Sequence, residues 1–350
     1  MKKLACYVHI PFCRSKCPYC DFYSLRADES TMRAYISRCE TLLRAAPHQW
    51  NTLYIGGGTP SALPPALLAR LLAAAGQNLL PGAEVTVEMN PSSASLALCE
   101  ACAAGGVNRV SLGVQAIAPA QRKALGRAAG PEEIVRALGR IRAAGINNIS
   151  LDVMLGIPGQ TEETLEETLR FCETAGATHI SAYLLSIEEG TRFYDRPPDG
   201  LPDEDAQAQL YLHCCAWLER HGFAQYEISN FCRPGFESRH NLAYWRCEEY
   251  NAVGPGAHGY TNGRRWHYPR DLEDFLRGAA PADDGPGGDD EERAMLALRL
   301  TAGIRQPSDQ MLARAAQLPP GLAIADERGL RLTPKGFLAS NRVIGLLLGY

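Results

Sequence analysis

The sequence has no apolar run long enough to cross a membrane. No stretch of about 18 apolar residues occurs anywhere in its 350 residues, so a spanning helix is not expected. It also has no excess of positive charge: 35 Lys and Arg stand against 39 Asp and Glu, which gives a formal net charge of −4. Because nucleic-acid binding normally rests on a strongly basic surface, nucleic acid is not expected as a partner.

Cysteine is too thinly spread for a disulfide scaffold. Twelve cysteines in 350 residues do not suit a secreted, disulfide-stapled protein, and a chain of this length can bury a large core without staples. Residues 1–6 superficially resemble a lipoprotein signal, but the apolar run is too short, and we interpret it as the start of the first strand. Free thiols and the lack of a recognisable targeting segment together predict a cytoplasmic location.

A regular alternation of strand and helix patterns fills the first half of the chain. Short apolar strands are predicted at residues 4–10, 52–55, 84–89, 107–114, 147–155 and 178–185, with helices between them at 30–46, 64–78, 95–104, 131–144 and 161–175. Six such units favour an α/β fold with a parallel sheet, and they are too few to close an eight-stranded barrel. We therefore expect a partial (β/α)6 barrel with its active site at the carboxyl ends of the strands.

The pattern changes after residue 186, which predicts three regions. Residues 1–186 would form the barrel core, residues 187–280 an extension, and residues 281–350 a smaller C-terminal α+β domain. Helices are expected at 201–222, 291–301 and 307–317, whereas the Gly-, Pro- and Asp-rich segment 280–292 is expected to be a solvated surface loop or linker. Residues 330–336 and the apolar helix after them favour a winged-helix-like unit at the end of the chain.

Three cysteines stand close together just after the first predicted strand. Cys13, Cys17 and Cys20 have the spacing C-x3-C-x2-C. A [4Fe–4S] cluster normally takes four cysteines, so three would leave one iron open to a ligand that is not protein. Two alternatives remain open on spacing alone. One alternative is a structural zinc site, which needs four ligands. His9 is the nearby candidate for the fourth ligand, but a strand would direct its side chain along the sheet and not into the loop. The other alternative is three unrelated buried thiols.

Polar or glycine-rich positions recur where the predicted strands end. The Gly-Gly-Gly-Thr-Pro loop at 56–60 follows the second strand, and glycine lets a ligand approach the backbone closely. Glu88 ends the third strand, Gln115 ends the fourth and Asp152 lies in the fifth. Arg127 is a candidate partner for a ligand carboxylate. Each residue alone is explained by a structural hydrogen bond, but their recurrence at successive strand ends indicates a ligand site.

Together these motifs resemble the radical S-adenosylmethionine superfamily, and more closely its oxygen-independent coproporphyrinogen III oxidase-like branch. The resemblance covers nearly the whole chain, and the motifs that carry it lie at residues 7–13, 56–60, 108–115, 152–160 and 239–245. In that superfamily the methionyl amine and carboxylate chelate the open iron, and reductive cleavage of the sulfonium makes a 5′-deoxyadenosyl radical. The resemblance therefore implies a [4Fe–4S] cluster and adenosylmethionine as cofactors.

The resemblance also assigns residues to the two cofactors. It implies that Cys13, Cys17 and Cys20 are the cluster ligands. The residues that it places around adenosylmethionine are Tyr7, Tyr19, Gly57, Gly58, Thr59, Glu88, Gln115, Arg127, Asp152 and, at the end of the sixth strand, Ser186.

Two functions occur within that branch. One is the oxidative decarboxylation of coproporphyrinogen III, and the other is that of the HemW-type heme chaperones, which bind heme and pass it to acceptor proteins. The oxidases carry a fourth cysteine two residues after the third, where this chain has Phe22, and they have an N-terminal extension for which the twelve residues before Cys13 leave no room. Residues 240–245 also fit the H-N-x-x-Y-W signature of the heme-binding members. The sequence thus favours a chaperone, with heme and unidentified heme-acceptor proteins as partners.

The signature makes His240 a candidate heme contact. Imidazole is a common axial ligand of heme iron, and Tyr244 and Trp245 offer flat apolar surface for a macrocycle. The alternative is a capped turn with a hydrogen-bonded histidine, and His258 is another candidate for the ligand. Cys99 and Cys102 form a C-x-x-C pair, but they fall on one face of a predicted helix and are expected to be packing residues.

Overall fold

An open sheet of twelve strands forms the centre of the computed structural model, which describes residues 3–350. Along the sheet the strands follow the order β12-β11-β10-β9-β1-β2-β3-β4-β5-β6-β8-β7. Their bounds are β1 Lys3–Ile10, β2 Gln49–Gly57, β3 Leu79–Met89, β4 Arg109–Gln115, β5 Asn148–Leu155, β6 His179–Leu184, β7 Ala224–Gln225, β8 Asn230–Cys232, β9 Tyr250–Val253, β10 His258–Thr261, β11 Arg264–His267 and β12 Ala282–Pro286. A separate hairpin pairs β13 Ala323–Asp326 with β14 Gly329–Leu332.

Helices connect and cover these strands. They are α1 Glu29–Ala45, α2 Pro65–Gly76, α3 Leu96–Ala104, α4 Pro119–Ala124, α5 Pro131–Ala143, α6 Glu162–Thr174, α7 Arg192–Asp195, α8 Glu204–Arg220, α9 Arg239–Trp245, α10 Leu272–Arg277, α11 Asp290–Ala297, α12 Asp309–Ala315, α13 Pro334–Leu338 and α14 Ser340–Leu348. Several helices begin after a residue whose side chain accepts a hydrogen bond from a backbone amide of the first turn. Asp28 does so for α1 and Thr161 for α6. None of the helices within residues 3–350 has the length and apolar character needed to cross a membrane.

The strands β1 to β6 are parallel neighbours in chain order, which confirms the predicted partial barrel. The first strand begins at residue 3, and residues 1 and 2 of the segment that we interpreted as its start lie outside the described residues. Alternate residues of each strand are apolar, such as Leu53, Val110 and Leu151, and they pack in the hydrophobic core with the helices. The residues between them face the opposite side, and many are polar, such as Thr52, Ser111 and Asp152.

The segment 187–280 extends the core sheet on both edges instead of forming a layer of its own. At one edge β8 pairs antiparallel with β6, and at the other β9 pairs parallel with β1 before β10 to β12 continue antiparallel. The prediction of a surface loop at 280–292 was wrong, because Ala282–Pro286 forms the outermost strand β12. An edge strand tolerates charged residues and proline, so its composition resembles that of a loop.

The C-terminal part is a small α+β unit, as predicted. The hairpin of β13 and β14 lies between α12 and α13, and an isolated bridge from Ile304 to Leu330 ties it to the preceding segment. Its buried apolar residues include Leu330, Phe337, Val343 and Leu347, which belong to the main core cluster. The helix predicted at 307–317 is α12, and that predicted at 291–301 is α11, which starts one residue earlier and ends at Ala297.

Candidate functional site

A cavity of about 390 Å³ opens at the carboxyl ends of the core strands, beneath the loop that carries the three cysteines. Sequence-predicted residues that line it are Cys13, Cys17, Tyr19, Cys20, Gly57, Gly58, Thr59, Glu88, Gln115, Arg127 and Asp152. Further lining residues that the motifs did not indicate include Tyr54, Ser111, Arg122 and Tyr183. The predicted strand-end positions therefore meet in one place, as parallel strands require.

The cysteine loop is fixed to the end of β2 by backbone hydrogen bonds. The amide of Gly58 donates to the carbonyl of Ile10 (2.8 Å) and that of Thr59 donates to Phe12 (2.8 Å). A Cβ atom on Gly58 would lie 2.8 Å from both of those carbonyl oxygens. Because the neighbouring atoms are backbone, they cannot move aside as a flexible side chain could, and glycine is required here.

The three thiols at the cavity are unpaired and half-buried. The hydroxyl of Thr59 lies 3.2 Å from Cys13 Sγ, and Arg127 Nη1 donates to Cys17 Sγ across 3.7 Å. Burial raises the pKa of Cys20. Iron–sulfur clusters are held by cysteine thiolates, and the three thiols stand together at the wall of the cavity.

The arrangement fits a polynuclear cluster better than a single zinc ion. A single metal ion needs its ligand atoms close together. Among residues 3–350, the group of three ligand atoms that lie within 4.8 Å of one another does not include Cys13, Cys17 and Cys20. His9 supplies no fourth ligand, because its ring nitrogens are engaged by the Tyr7 hydroxyl (3.0 Å) and the Tyr23 carbonyl (2.8 Å). A cubane cluster needs more widely spaced sulfurs than a mononuclear site does, and the residues present suit it.

Arg127 reaches into the cavity through a gap that a glycine leaves. Its Nη2 donates to the carbonyl of Gly113 (2.7 Å), and a Cβ on Gly113 would lie 2.6 Å from that same nitrogen. The next cavity residue on β4, Gln115, has a φ of +69°, where the register with β5 shifts. A non-glycine residue in the left-handed region costs free energy, and such strain concentrates at ligand sites. The end of β4 is thus shaped to present a cation and an amide to the cavity.

Two carboxyl groups lie on the polar side of the sheet. Glu88 accepts hydrogen bonds from the Tyr54 hydroxyl (2.8 Å) and the Gly57 amide (3.0 Å), and burial raises its pKa to about 7. Asp152 accepts from Ser111 Oγ (2.8 Å), and burial likewise raises its pKa, an effect that the Ser111 hydrogen bond opposes. A buried carboxyl group is costly without a partner, so this pair is suited to an amine or to hydroxyl groups of a ligand.

Two residues assigned to the adenosylmethionine site by resemblance are not among the cavity-lining residues. The ring of Tyr7 lies 6.3 Å from that of the lining residue Tyr54, and its hydroxyl contacts His9. Ser186 is exposed beyond β6 and donates to its neighbour Glu188. Both assignments therefore stay predictions that rest on the resemblance.

The structure buries His240, which the signature makes a candidate heme contact. The side chain is 1% exposed, and its nitrogens lie 2.8 Å from Thr52 Oγ1 and 2.8 Å from the Tyr244 hydroxyl. Its ring stacks on Tyr54 at 5.1 Å, and burial together with the Arg109 charge lowers its pKa to about 3. Both nitrogens have partners, so none is free for iron.

The signature 240–245 has a clear structural role in this conformation. The carboxylate of Glu84 accepts the backbone amides of Arg239 (2.9 Å) and His240 (3.0 Å) at the start of α9. The Arg239 guanidinium donates to the carbonyls of Gly82 and Asn51. A carboxylate at a helix N-terminus is favourable, and these bonds hold α9 against the starts of β2 and β3, behind the cavity.

Comparisons with known proteins agree with this architecture. The model of the radical SAM superfamily matches residues 7–172. A Bacillus subtilis (strain 168) protein named heme chaperone HemW is 33% identical over 98% of both chains. A Mycobacterium tuberculosis (strain H37Rv) protein of the same name is 36% identical over 98% of this chain and 94% of its own.

A solved structure of similar fold is that of the coproporphyrinogen III oxidase HemN from Escherichia coli, described as a radical SAM enzyme. It matches with a TM-score of 0.84 over 100% of this chain and 91% of its own, at 21% identity. At 21% identity, this similarity shows the fold alone. The sequence relatives, which are 33% and 36% identical over 98% of the chain, show the family. The chain therefore belongs to the radical SAM superfamily and, within it, to the HemW family.

Proposed function

We propose that this protein is a cytoplasmic heme chaperone. It would hold a [4Fe–4S] cluster on Cys13, Cys17 and Cys20, bind adenosylmethionine in the cavity beneath, and bind heme for transfer to acceptor proteins. The observation that carries the proposal is the three-cysteine loop over the cavity with Phe22 in the position where the oxidases have a cysteine. The name heme chaperone, carried by relatives that match 98% of the chain, supports it.

The cavity chemistry supports adenosylmethionine as the ligand. When bound, a cluster with three protein ligands supplies an iron that can accept an amine and a carboxylate. Arg127, held between Gly113 and Cys17, would orient the carboxylate of the methionyl group. Glu88 would accept a hydrogen bond from the amine, because its carboxyl group lines the cavity beside Gly57. Asp152 would accept hydrogen bonds from hydroxyl groups of the ligand.

The heme site is proposed to lie outside the buried α9 region. In this conformation the nitrogens of His240 are engaged by two hydroxyl groups, whereas the side chain of Phe22, at the cavity mouth, is 60% exposed. An exposed aromatic side chain beside a binding cavity is suited to a flat apolar ligand such as a porphyrin. The twelve cysteines without a disulfide support the reducing compartment that the proposal assumes.

The proposal is tested on protein reconstituted anaerobically with iron and sulfide. We expect the absorbance spectrum of a [4Fe–4S] cluster. A heme titration, monitored by the shift of the heme absorbance band, should saturate near one heme per chain. Heme should then leave the protein when a heme-free acceptor protein is added. A reconstituted protein that shows no saturable heme binding would contradict the proposal.

A further inference from the structure

Two histidines and an aspartate meet on the three antiparallel strands at the edge of the sheet. His258 on β10 pairs directly opposite His267 on β11, and their rings lie stacked with centroids 5.2 Å apart. Directly opposed residues of antiparallel strands project to the same face. Asp284 on β12 joins them, with Oδ1 2.7 Å from His267 Nδ1 and Oδ2 3.9 Å from His258 Nδ1.

A bulge in β12 accounts for the position of Asp284. Arg265 pairs with Gly285 and Trp266 with Asp283, so Asp284 is an additional residue with no partner of its own in the register. Gly285 next to it has a φ of +98°, a conformation that glycine adopts readily. A bulge redirects a side chain, and here the local backbone turns the carboxylate of an edge strand toward the two imidazoles.

Nearby cations do not compete strongly for this carboxylate. Arg264 is paired with Asp283, and Arg265 donates to Glu292 (2.6 Å). Arg270 lies 3.4 Å from Asp21. Each of these three arginines therefore has an acidic partner other than Asp284, whose carboxylate contacts the two histidines.

We propose that His258, His267 and Asp284 form a binding site for one divalent transition-metal ion, with Zn²⁺ as the representative ion. One ligand atom of each residue lies within 4.8 Å of a ligand atom of each of the other two. Among the His, Cys, Asp and Glu side chains of residues 3–350, this is the group of three that meets that distance criterion. Two imidazoles and a carboxylate suit zinc and neighbouring metals rather than Mg²⁺ or Ca²⁺. Three protein ligands leave a coordination position for water, as in zinc sites that are not purely structural. None of the three residues lines the cavity beneath the cysteine loop.

The site is distinguished from the cysteines by using protein whose cluster has already been reconstituted, so that the thiols are not free to take zinc. Isothermal titration calorimetry with Zn²⁺ should show one ion per chain for the wild type and for the control His48→Ala, which removes a half-buried histidine outside this site. His258→Ala and Asp284→Asn should each weaken binding by at least about 100-fold, because even outer-shell changes cost 10–100-fold. Mg²⁺ should produce no binding heat.

Two readouts keep a folding defect from being mistaken for ligand loss. Each variant should retain the cluster absorbance and the thermal unfolding midpoint of the wild type. Asp284→Asn is a mild change, because asparagine has nearly the same volume as aspartate and the residue lies on an exposed edge strand. The proposal is overturned if wild-type protein takes up no Zn²⁺, if His258→Ala and Asp284→Asn bind it as tightly as the wild type, or if Mg²⁺ binds equally well.

Discussion

Replacing His240 with phenylalanine separates a structural role from heme ligation. Phenylalanine keeps a ring of similar shape in the buried position, but the hydroxyls of Thr52 and Tyr244 lose the nitrogens that lie 2.8 Å from them. A buried polar group left without a partner costs about 1–3 kcal/mol, so His240→Phe should lower the free energy of unfolding by about 2–6 kcal/mol. Heme affinity should stay within about 2-fold of the wild type, a change of less than 0.5 kcal/mol.

Urea denaturation and a heme titration on the same preparations measure the two effects. Thr52→Val is the matched variant: it removes one partner of His240 but leaves the imidazole in place. It should cost about 1–3 kcal/mol of stability and leave heme affinity unchanged. The reasoning is refuted if His240→Phe loses heme binding at unchanged stability while Thr52→Val binds normally, since His240 would then be a heme ligand in a conformation other than this one.

Three further predictions rest on single positions. Burial holds the pKa of His240 at about 3, so between about pH 6.5 and 3 only the unfolded chain is protonated at this residue. His240 alone should therefore lower the free energy of unfolding on acidification by up to about 1.4 kcal/mol per pH unit, and urea titrations at several pH values should show His240→Phe without this contribution. Cys17→Ala should abolish the near-visible absorbance of the reconstituted cluster; a full cluster spectrum would show that the ligand assignment is wrong. Gly113→Ala should displace Arg127 and weaken adenosylmethionine binding in equilibrium dialysis, whereas Gly139→Ala, with no atom near the added Cβ, should leave binding unchanged.

The barrel and the rim of the cavity could be predicted because their signals are local. Six apolar strands alternate with helices, and the carboxyl ends of parallel strands must converge, so Glu88, Gln115 and Asp152 could be grouped before the structure was known. A further local signal was overlooked. Polar residues at alternate positions, such as Tyr54 after Thr52 on β2, already indicated a second, polar face of the sheet.

The remaining differences come from tertiary packing, which the local pattern does not contain. His240 is placed by Glu84 and Thr52, which precede it by more than 150 residues, so the sequence around the signature could not show that the imidazole is buried. Similarly, β12 exists because β11 offers it an open edge, although residues 282–286 have the composition of a loop. The bulge that brings Asp284 to two histidines depends on that pairing as well.

Turnover of coproporphyrinogen III tests the central claim most directly. Reconstituted protein is incubated anaerobically with coproporphyrinogen III, adenosylmethionine and a low-potential reductant, and the products are separated and quantified. The account predicts no protoporphyrinogen IX above a control of Cys17→Ala protein, while the same wild-type preparation binds heme. Decarboxylation over many turnovers would contradict the chaperone function and assign the chain to the oxidases.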